Sequence, residues 1–181
     1  MATPAQDAVG LHGANQDDWE LARLVDLLGH ELGGGLVLEI GSDQGGTLWL
    51  WRELGAQVVA VTLHTRRDGQ FKPHGADVIV GDSTAPAVQA RAREAIGPRR
   101  VAMVFVDGGH DYETACSDIR WALDMAPHGY VVVHDINRRI GHPEIETYMA
   151  WAEYADDRPH ITIARRGEGS PGVGVIFPRG I

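Results

Sequence analysis

The sequence contains very little lysine or cysteine and has no long apolar run. Its single cysteine, Cys116, cannot form an internal disulfide. The only lysine is Lys72, and no glycine-rich loop carries the lysine that a P-loop nucleotide hydrolase needs, so that class is excluded. No stretch approaches the roughly 20 apolar residues that cross a bilayer, and the first residues lack the pattern of a signal peptide. We therefore expect a cytoplasmic protein that does not bind membranes.

Basic residues are also in the minority. The chain has 181 residues, with 16 basic and 25 acidic side chains and a formal net charge of −9. Non-specific binding of nucleic acid needs a basic face that neutralises phosphates, so nucleic acid is not an expected partner. The length suits one globular domain.

The apolar segments predict a doubly wound α/β domain. Residues 1–16 are small and polar and are expected to form a flexible arm, so the single domain would span 17–181. Five short runs are apolar on both faces and alternate with helical stretches, which is typical of a parallel sheet with helices on both faces. The spacing predicts a further helix over 143–154, and then a closing antiparallel hairpin of 160–164 with 173–177. We expect about seven strands in total.

Residues that follow the strands are the candidate site, because ligands of such sheets bind at the carboxyl ends of the strands. The first strand ends with Glu39 and a glycine turn that contains Gly41, Ser42 and Gly45. Glycines allow a sharp turn and a close approach to a ligand. A carboxylate at Glu39 suits a cationic ligand, such as an ammonium or sulfonium group, better than a pyrophosphate.

The next two strand ends leave the identity of the ligand open. Thr62 can bond one ribose hydroxyl but cannot hold two as a carboxylate does. Arg66 and Arg67 follow closely and would suit the 2′-phosphate of NADPH, so a reductase is one alternative. At the third strand end, Asp82 precedes Ser83 and has two interpretations. It either accepts a bond from an adenine amino group or caps the following turn or helix.

The fourth and fifth strand ends carry the densest set of reactive side chains. Asp107 and His110 follow the fourth strand, and His134 and Asp135 follow the fifth. Neighbouring strands would bring the four to one edge of the sheet. Two carboxylates and two imidazoles suit a divalent cation, and an imidazole without a metal suits a general base.

Four motifs occur in a characteristic order. They are Glu-Ile-Gly-Ser-x-x-Gly from Glu39, Gly-Asp-Ser from Gly81, Asp-Gly-Gly-His-Asp-Tyr from Asp107 and His-Gly-Tyr-Val-Val-Val-His-Asp from His128. This set resembles the class I S-adenosylmethionine-dependent methyltransferases. It is more narrowly similar to small natural-product and sugar O-methyltransferases and to cephalosporin-hydroxylase-like proteins. The resemblance covers 36–136 and the closing hairpin, and it implies a Rossmann-like fold.

The resemblance also implies a cofactor and its contacts. The cofactor would be S-adenosyl-L-methionine. In relatives that use a metal, acids at the positions of Asp107 and Asp135 hold a divalent ion such as magnesium, and His134 stands where another acid is common. The residues that the resemblance places around S-adenosylmethionine are Glu39, Gly41, Ser42, Gln44, Gly45, Thr62, Asp82, Ser83 and Asp107.

The leading hypothesis is therefore methyl transfer to an oxygen of a small molecule. His110 would be the general base and Asp107 would lie between cofactor and acceptor; alternatively, a divalent ion on Asp107, His134 and Asp135 would activate the acceptor. The segment 137–142, which contains two arginines, favours an anionic acceptor. The resemblance implies a natural-product intermediate, which would be anionic or sugar-like. A reductase and a degenerate methyltransferase fold that acts as a binding protein are the alternatives. A homodimer is a further expectation.

Overall fold

The computed structural model describes residues 2–65, 70–165 and 169–179. In this part of the chain, no helix combines the length and apolar character needed to span a membrane. The six helices described are α1 (Pro4–Gly10), α2 (Asp18–Leu32), α3 (Gly46–Glu53), α4 (Pro86–Ile96), α5 (Tyr112–Met125) and α6 (Thr147–Ala155). The seven strands described are β1 (Leu36–Ile40), β2 (Gln57–Thr62), β3 (Asp77–Val80), β4 (Val101–Val106), β5 (Tyr130–His134), β6 (His160–Ile163) and β7 (Val173–Ile176).

The strands form one sheet in the order β3-β2-β1-β4-β5-β7-β6. The first five pair in parallel, whereas β7 is antiparallel to both β5 and β6. Every residue of β1 and β7 is buried, which is why these segments read as continuous apolar runs. The predicted fold class, with its mostly parallel sheet and closing antiparallel pair, is confirmed.

Helices cover both faces of the sheet. Alternate residues of a strand point to opposite faces, so Leu38 and Ile40 of β1 join an apolar cluster with α4, α5 and α6. Val37 joins a second cluster, which contains residues of α1, α2 and α3. Each face of the sheet is therefore sealed by three helices, and the carboxyl ends of the strands are the edge that can hold a ligand.

The N-terminal segment differs from the flexible arm expected over 1–16. Thr3 caps α1 through the backbone N–H of Gln6, and the Gln6 side chain in turn accepts from the backbone of Thr3. Pro4 opens the helix, and Ala5 and Ala8 are buried against α2 and α3. The small alanines that suggested a frayed end are the residues that let α1 pack closely.

Helix α6 begins four residues later than the predicted start at 143. The reason lies at Glu146, whose backbone N–H donates to the carbonyl of His110 at 2.7 Å. Its side chain also accepts from the backbone N–H of Tyr112 at 3.1 Å. Because Glu146 is held by the beginning of α5, the chain before it forms turns and α6 starts only at Thr147.

The strand order reverses between β1 and β4. From β1 the chain moves outward through β2 to β3, and it then returns to place β4 and β5 on the other side of β1. Adjacent loops leave in opposite directions at such a point and leave a crevice between them. The fold therefore places the loops after β1 and β4 at the mouth of the candidate site.

Candidate active site

A cavity of about 660 Å³ opens at the carboxyl ends of β1 to β5. Its walls come from the five loops that follow these strands and from the segment between α1 and α2. This volume lies within the range of small-molecule sites. Of the residues singled out in the sequence, those that line the cavity are Gly41, Ser42, Thr62, Asp82, Ser83, Asp107, His110, His134 and Asp135.

The loops after β1 and β4 touch at the bottom of the cavity. Gly41 has φ of +86°, and a Cβ atom there would lie 2.0 Å from the carbonyl oxygen of Asp107. The backbone N–H of Asp107 donates to the carbonyl of Ile40 at 2.8 Å, which continues the strand pairing. Only glycine combines this conformation with such a close approach. Gly41 therefore sets the position of Asp107.

Glu39 lies beneath the cavity and does not line it, contrary to the expectation that it meets a cationic ligand. Its carboxyl group is fully buried and accepts from the Thr47 hydroxyl at 2.9 Å and from the Trp51 indole at 2.6 Å. Burial raises the pKa of Glu39 from 4.5 to about 8, because a charge without solvent is unfavourable. At neutral pH the carboxyl group of Glu39 is mainly uncharged, and its two hydrogen bonds hold α3 against β1.

Gln44 and Gly45 also support the cavity from outside its lining. Gly45 has φ of +92°, and a Cβ there would lie 2.1 Å from the carbonyl oxygen of Lys72. The backbone N–H of Lys72 donates to the carbonyl of Gln44 at 3.0 Å. The side chain of Gln44 packs against Gly13. These two residues join the start of α3 to neighbouring loops.

The ends of β2 and β3 form the opposite part of the cavity. The Thr62 hydroxyl donates to the carbonyl of His64 at 3.3 Å. Asp82 is exposed and accepts from the Thr84 backbone at 2.9 Å and from its hydroxyl at 2.7 Å; these bonds lower the pKa of Asp82. The N-cap of α4 is Ala85, so Asp82 caps the preceding turn.

The two arginines that favoured NADPH, Arg66 and Arg67, lie outside the described residues.

Asp107, His110, His134 and Asp135 form one compact group, which we call the carboxylate–imidazole cluster. His134 Nδ1 lies 3.0 Å from Asp107 Oδ1 and 3.5 Å from Asp135 Oδ2. His110 Nε2 lies 2.9 Å from Asp135 Oδ2 and 4.0 Å from Asp107 Oδ1. The two neighbouring strand ends thus bring together the four residues that the sequence pattern grouped.

The cluster combines opposite charges in a mostly buried setting. Burial alone would lower the pKa of His134, but the carboxylates of Asp107 and Asp135 outweigh it and raise the pKa to about 10. The bond to Asp135 raises the pKa of His110. Burial would raise the pKa of Asp135, yet the two imidazoles hold it well below its usual range. The negative charge of the carboxylates is therefore compensated inside the cluster.

Three members of the cluster form a metal-ligand set. One donor atom each from Asp107, His134 and Asp135 lies within 4.8 Å of the others. Among the described residues, His134 Nε2 and Asp135 Oδ1 are buried without a hydrogen-bond partner. Asp135 also has φ of +57°, a conformation that non-glycine residues adopt rarely and mostly where function or packing demands it.

The segment 13–16 is the part of the site that sequence reasoning missed. It forms a wall of the cavity, and Gln16 Nε2 donates to Asp107 Oδ2 at 2.5 Å. Asn15 donates to the carboxylate of Asp43 in the loop after β1. No motif marks these residues, because they precede β1 by a whole helix and reach the site only through the packing of α1 and α2.

Comparison with known proteins identifies the family of this chain. The family described as "Methyltransferase domain" matches residues 38–136, which is more than half of the chain. The chain belongs to this methyltransferase domain family. The matched range contains Asp107 and the rest of the cluster, whereas Gln16 lies before it. No curated protein sequence gives a significant match.

Solved structures with low sequence identity share the fold of this methyltransferase domain. An O-methyltransferase from Bacillus cereus in complex with SAH is 14% identical, with a TM-score of 0.65 over 98% of this chain and 91% of that one. TomG from Streptomyces achromogenes, an O-methyltransferase involved in tomaymycin synthesis and solved with SAM, is 17% identical, with a TM-score of 0.65 over 97% and 88%.

A third structure is longer than this methyltransferase domain. MycE, from the mycinamycin biosynthetic pathway, was solved with Mg, SAH and mycinamycin VI. It is 15% identical, with a TM-score of 0.65 over 98% of this chain and 55% of that one.

The buried carboxyl group of Glu39 predicts a pH-dependent stability. Between pH 4.5 and about 8 the folded protein retains a proton on Glu39 that the unfolded chain releases, so the stability it supports is lost as pH rises through this window. The slope from this group approaches about 1.4 kcal/mol per pH unit. Glu39→Gln, which mimics the protonated acid, should lack this part of the decline in Tm between pH 5 and 8.

The matched control is Glu53→Gln on the exposed surface of α3. It should keep the pH profile of the wild-type Tm. A Glu39→Gln protein whose Tm declines as steeply as the wild type would show that Glu39 is ionised in the folded state.

Proposed function

We propose that this protein transfers a methyl group from S-adenosylmethionine to an oxygen atom of a small molecule. One observation carries the proposal: a member of the methyltransferase domain family has a cavity at the β1/β4 reversal, with Gly41 and the carboxylate–imidazole cluster at its base. The Bacillus cereus enzyme and TomG share this fold and were solved with SAH and SAM, which supports the choice of cofactor.

The cofactor would lie across the ends of β3, β2, β1 and β4. Its adenine would lie near Asp82 and Ser83, and its ribose near Thr62. Its methionine part would lie over Gly41 and Ser42, with Glu39, Gln44 and Gly45 supporting the turn from beneath. This order is supported by the cavity, which runs without interruption along these strand ends. Asp107 would then lie between cofactor and acceptor.

S-adenosylmethionine supplies an electrophilic methyl group when bound, so the chain must hold the acceptor in line and manage its proton. His110 is the proposed general base. Its Nε2 is held by Asp135 at 2.9 Å, which leaves Nδ1 as the ring atom that takes the acceptor proton. Asp135 then stabilises the imidazolium that results, and Asp107 Oδ1, at 4.0 Å, adds to this stabilisation.

A divalent cation is the alternative means of activating the acceptor. The donor set of Asp107, His134 and Asp135 fits such an ion, because it combines two carboxylates with an imidazole whose Nδ1 faces both of them. Asp135 Oδ1 is also buried without a hydrogen-bond partner among the described residues. These three residues would hold the ion. When bound, magnesium would lower the pKa of the acceptor hydroxyl and orient it. The presence of Mg in the MycE complex supports this alternative.

The acceptor is proposed to be an anionic or sugar-like natural-product intermediate. Arg139 lines the cavity, with NH1 at 3.5 Å from Asp135 Oδ1 and a buried Nε that has no hydrogen-bond partner among the described residues. A guanidinium with spare donors suits a carboxylate or phosphate. The preference for an anionic acceptor is measured by the rates of methyl transfer to two matched acceptors, one with a carboxylate and one without it. Equal rates would show that an anionic group is not recognised.

Calorimetric titration tests the class of cofactor. We expect S-adenosylmethionine and S-adenosylhomocysteine to bind with one site per chain, and NADPH to give no heat of binding. Binding of NADPH alone would replace the proposal with a reductase. Absence of binding by all three would favour a degenerate methyltransferase fold that acts as a binding protein.

Two experiments distinguish a general base from a metal ion as the group that activates the acceptor. If His110 is the base, His110→Ala should lower kcat by about 10²- to 10⁴-fold, the usual contribution of a general base, and EDTA should leave the rate unchanged. If the metal activates the acceptor, EDTA should abolish the rate and Mg²⁺ should restore it, while His110→Ala retains activity. The control is His30→Ala, an exposed histidine at the end of α2 that is far from the cavity.

A further inference from the structure

Gln16 is a buried polar residue with no role in the chemistry described above. Only 7% of its surface is exposed, although it lies in the connection between α1 and α2. It belongs to the lining of the cavity. Its Oε1 atom is buried and has no hydrogen-bond partner among the described residues. A buried acceptor without a partner is unfavourable in a folded protein, so this atom points to a missing donor.

The contact with Asp107 fixes the direction of the Gln16 amide. Nε2 donates to Asp107 Oδ2 at 2.5 Å, and an ionised carboxylate can only accept hydrogen bonds. The amide therefore cannot be turned around without placing two acceptors together. Oε1 is left as the free acceptor of a wall residue, beside a carboxylate.

The wall that carries Gln16 is held in place by its neighbours. The backbone N–H of Ala14 donates to the carbonyl of Ala8 in α1 at 3.0 Å. A Cβ atom on Gly46, at the start of α3, would lie 2.2 Å from the Ala14 nitrogen, so glycine is needed there for the segment to approach. Asn15 adds the bond to Asp43. The segment is thus held by α1, by the start of α3 and by the loop after β1.

We propose that Gln16 Oε1 accepts a hydrogen bond from the ammonium group of S-adenosylmethionine, with the Asp107 carboxylate next to it as the counter-charge. This rests on the function proposed above. S-adenosylmethionine carries donors on the ammonium group, the ribose and the adenine. The ribose and adenine are assigned to the ends of β2 and β3, whereas Gln16 contacts Asp107 at the end of β4. Of the cofactor's donors, the ammonium group is the one that remains for this part of the cavity.

The test compares ligands that differ in the amino-acid part. S-adenosylhomocysteine carries an ammonium and a carboxylate group, whereas 5′-deoxy-5′-methylthioadenosine keeps the adenosine and the sulfur but lacks both. Gln16→Met keeps the size of the side chain and removes its polar atoms. We expect calorimetry to show about tenfold weaker binding of S-adenosylhomocysteine and unchanged binding of methylthioadenosine, because one hydrogen bond to a charged group is lost. Decarboxylated S-adenosylmethionine keeps the ammonium group alone, and Gln16→Met should weaken its binding as well; unchanged binding of this ligand would assign Gln16 to the carboxylate and overturn the proposal.

Each outcome decides the proposal. If Gln16→Met weakens the binding of S-adenosylhomocysteine and methylthioadenosine equally, Gln16 only shapes the wall of the cavity. If it changes the affinity for neither ligand, Gln16 does not contact the cofactor. Both results overturn the proposal. Methylthioadenosine also reports that the variant is folded, and Gln16→Ala should reproduce the pattern. Gln57→Ala, at the opposite end of the sheet, should bind both ligands as the wild type does. Failure of the wild type to bind S-adenosylhomocysteine would refute the cofactor class instead.

Discussion

The close approach of Gly41 to Asp107 determines the geometry of the site. It lies where the strand order reverses, and it exists only because a residue without a Cβ allows two loops to touch. Asp107 is then held from three directions: by the backbone bond to Ile40, by Gln16 and by His134. One carboxylate thereby connects the turn after β1, the N-terminal segment and the end of β5.

The neighbours of Asp107 explain how two carboxylates can lie close together in a mostly buried cluster. Asp107 and Asp135 would repel one another if they stood alone in the cavity. Two imidazoles lie between and beside them, and Arg139 approaches from the next loop. The cluster thus brings its own counter-charges. Three further acids, Asp43, Asp82 and Asp111, line the same cavity, so the site shares in the acidic net charge of −9.

The sequence predicts the fold and the site where a local pattern alone decides the structure. Strands that are apolar on both faces predicted a covered parallel sheet, and residues after adjacent strands predicted the carboxylate–imidazole cluster. The prediction failed where tertiary packing decides. Glu39 reads as a ligand-binding acid in the sequence, but its strand position points it under α3, where Trp51 and Thr47 bind it.

The N-terminal segment gave a second failure of a different kind. A capping box from Thr3 to Gln6 with proline between them is a recognisable start of a helix, so the sequence itself indicates α1. The contact of Gln16 with Asp107 has no such signal in the sequence. The role of Gln16 depends on the path of the chain between two helices, and no local pattern reports which distant loop a glutamine will contact.

A crystal structure of the complex with S-adenosylhomocysteine tests the central claim most directly, namely that Asp107 marks the junction of cofactor and acceptor. The account predicts the amino-acid part between the Gly41 turn and the Gln16–Asp107 pair, the sulfur directed toward the side of the cavity that holds His110, and the adenine beside Ser83. An amino-acid part directed toward β3, or a ligand bound at the opposite end of the sheet near Arg99 and Arg100, would contradict it.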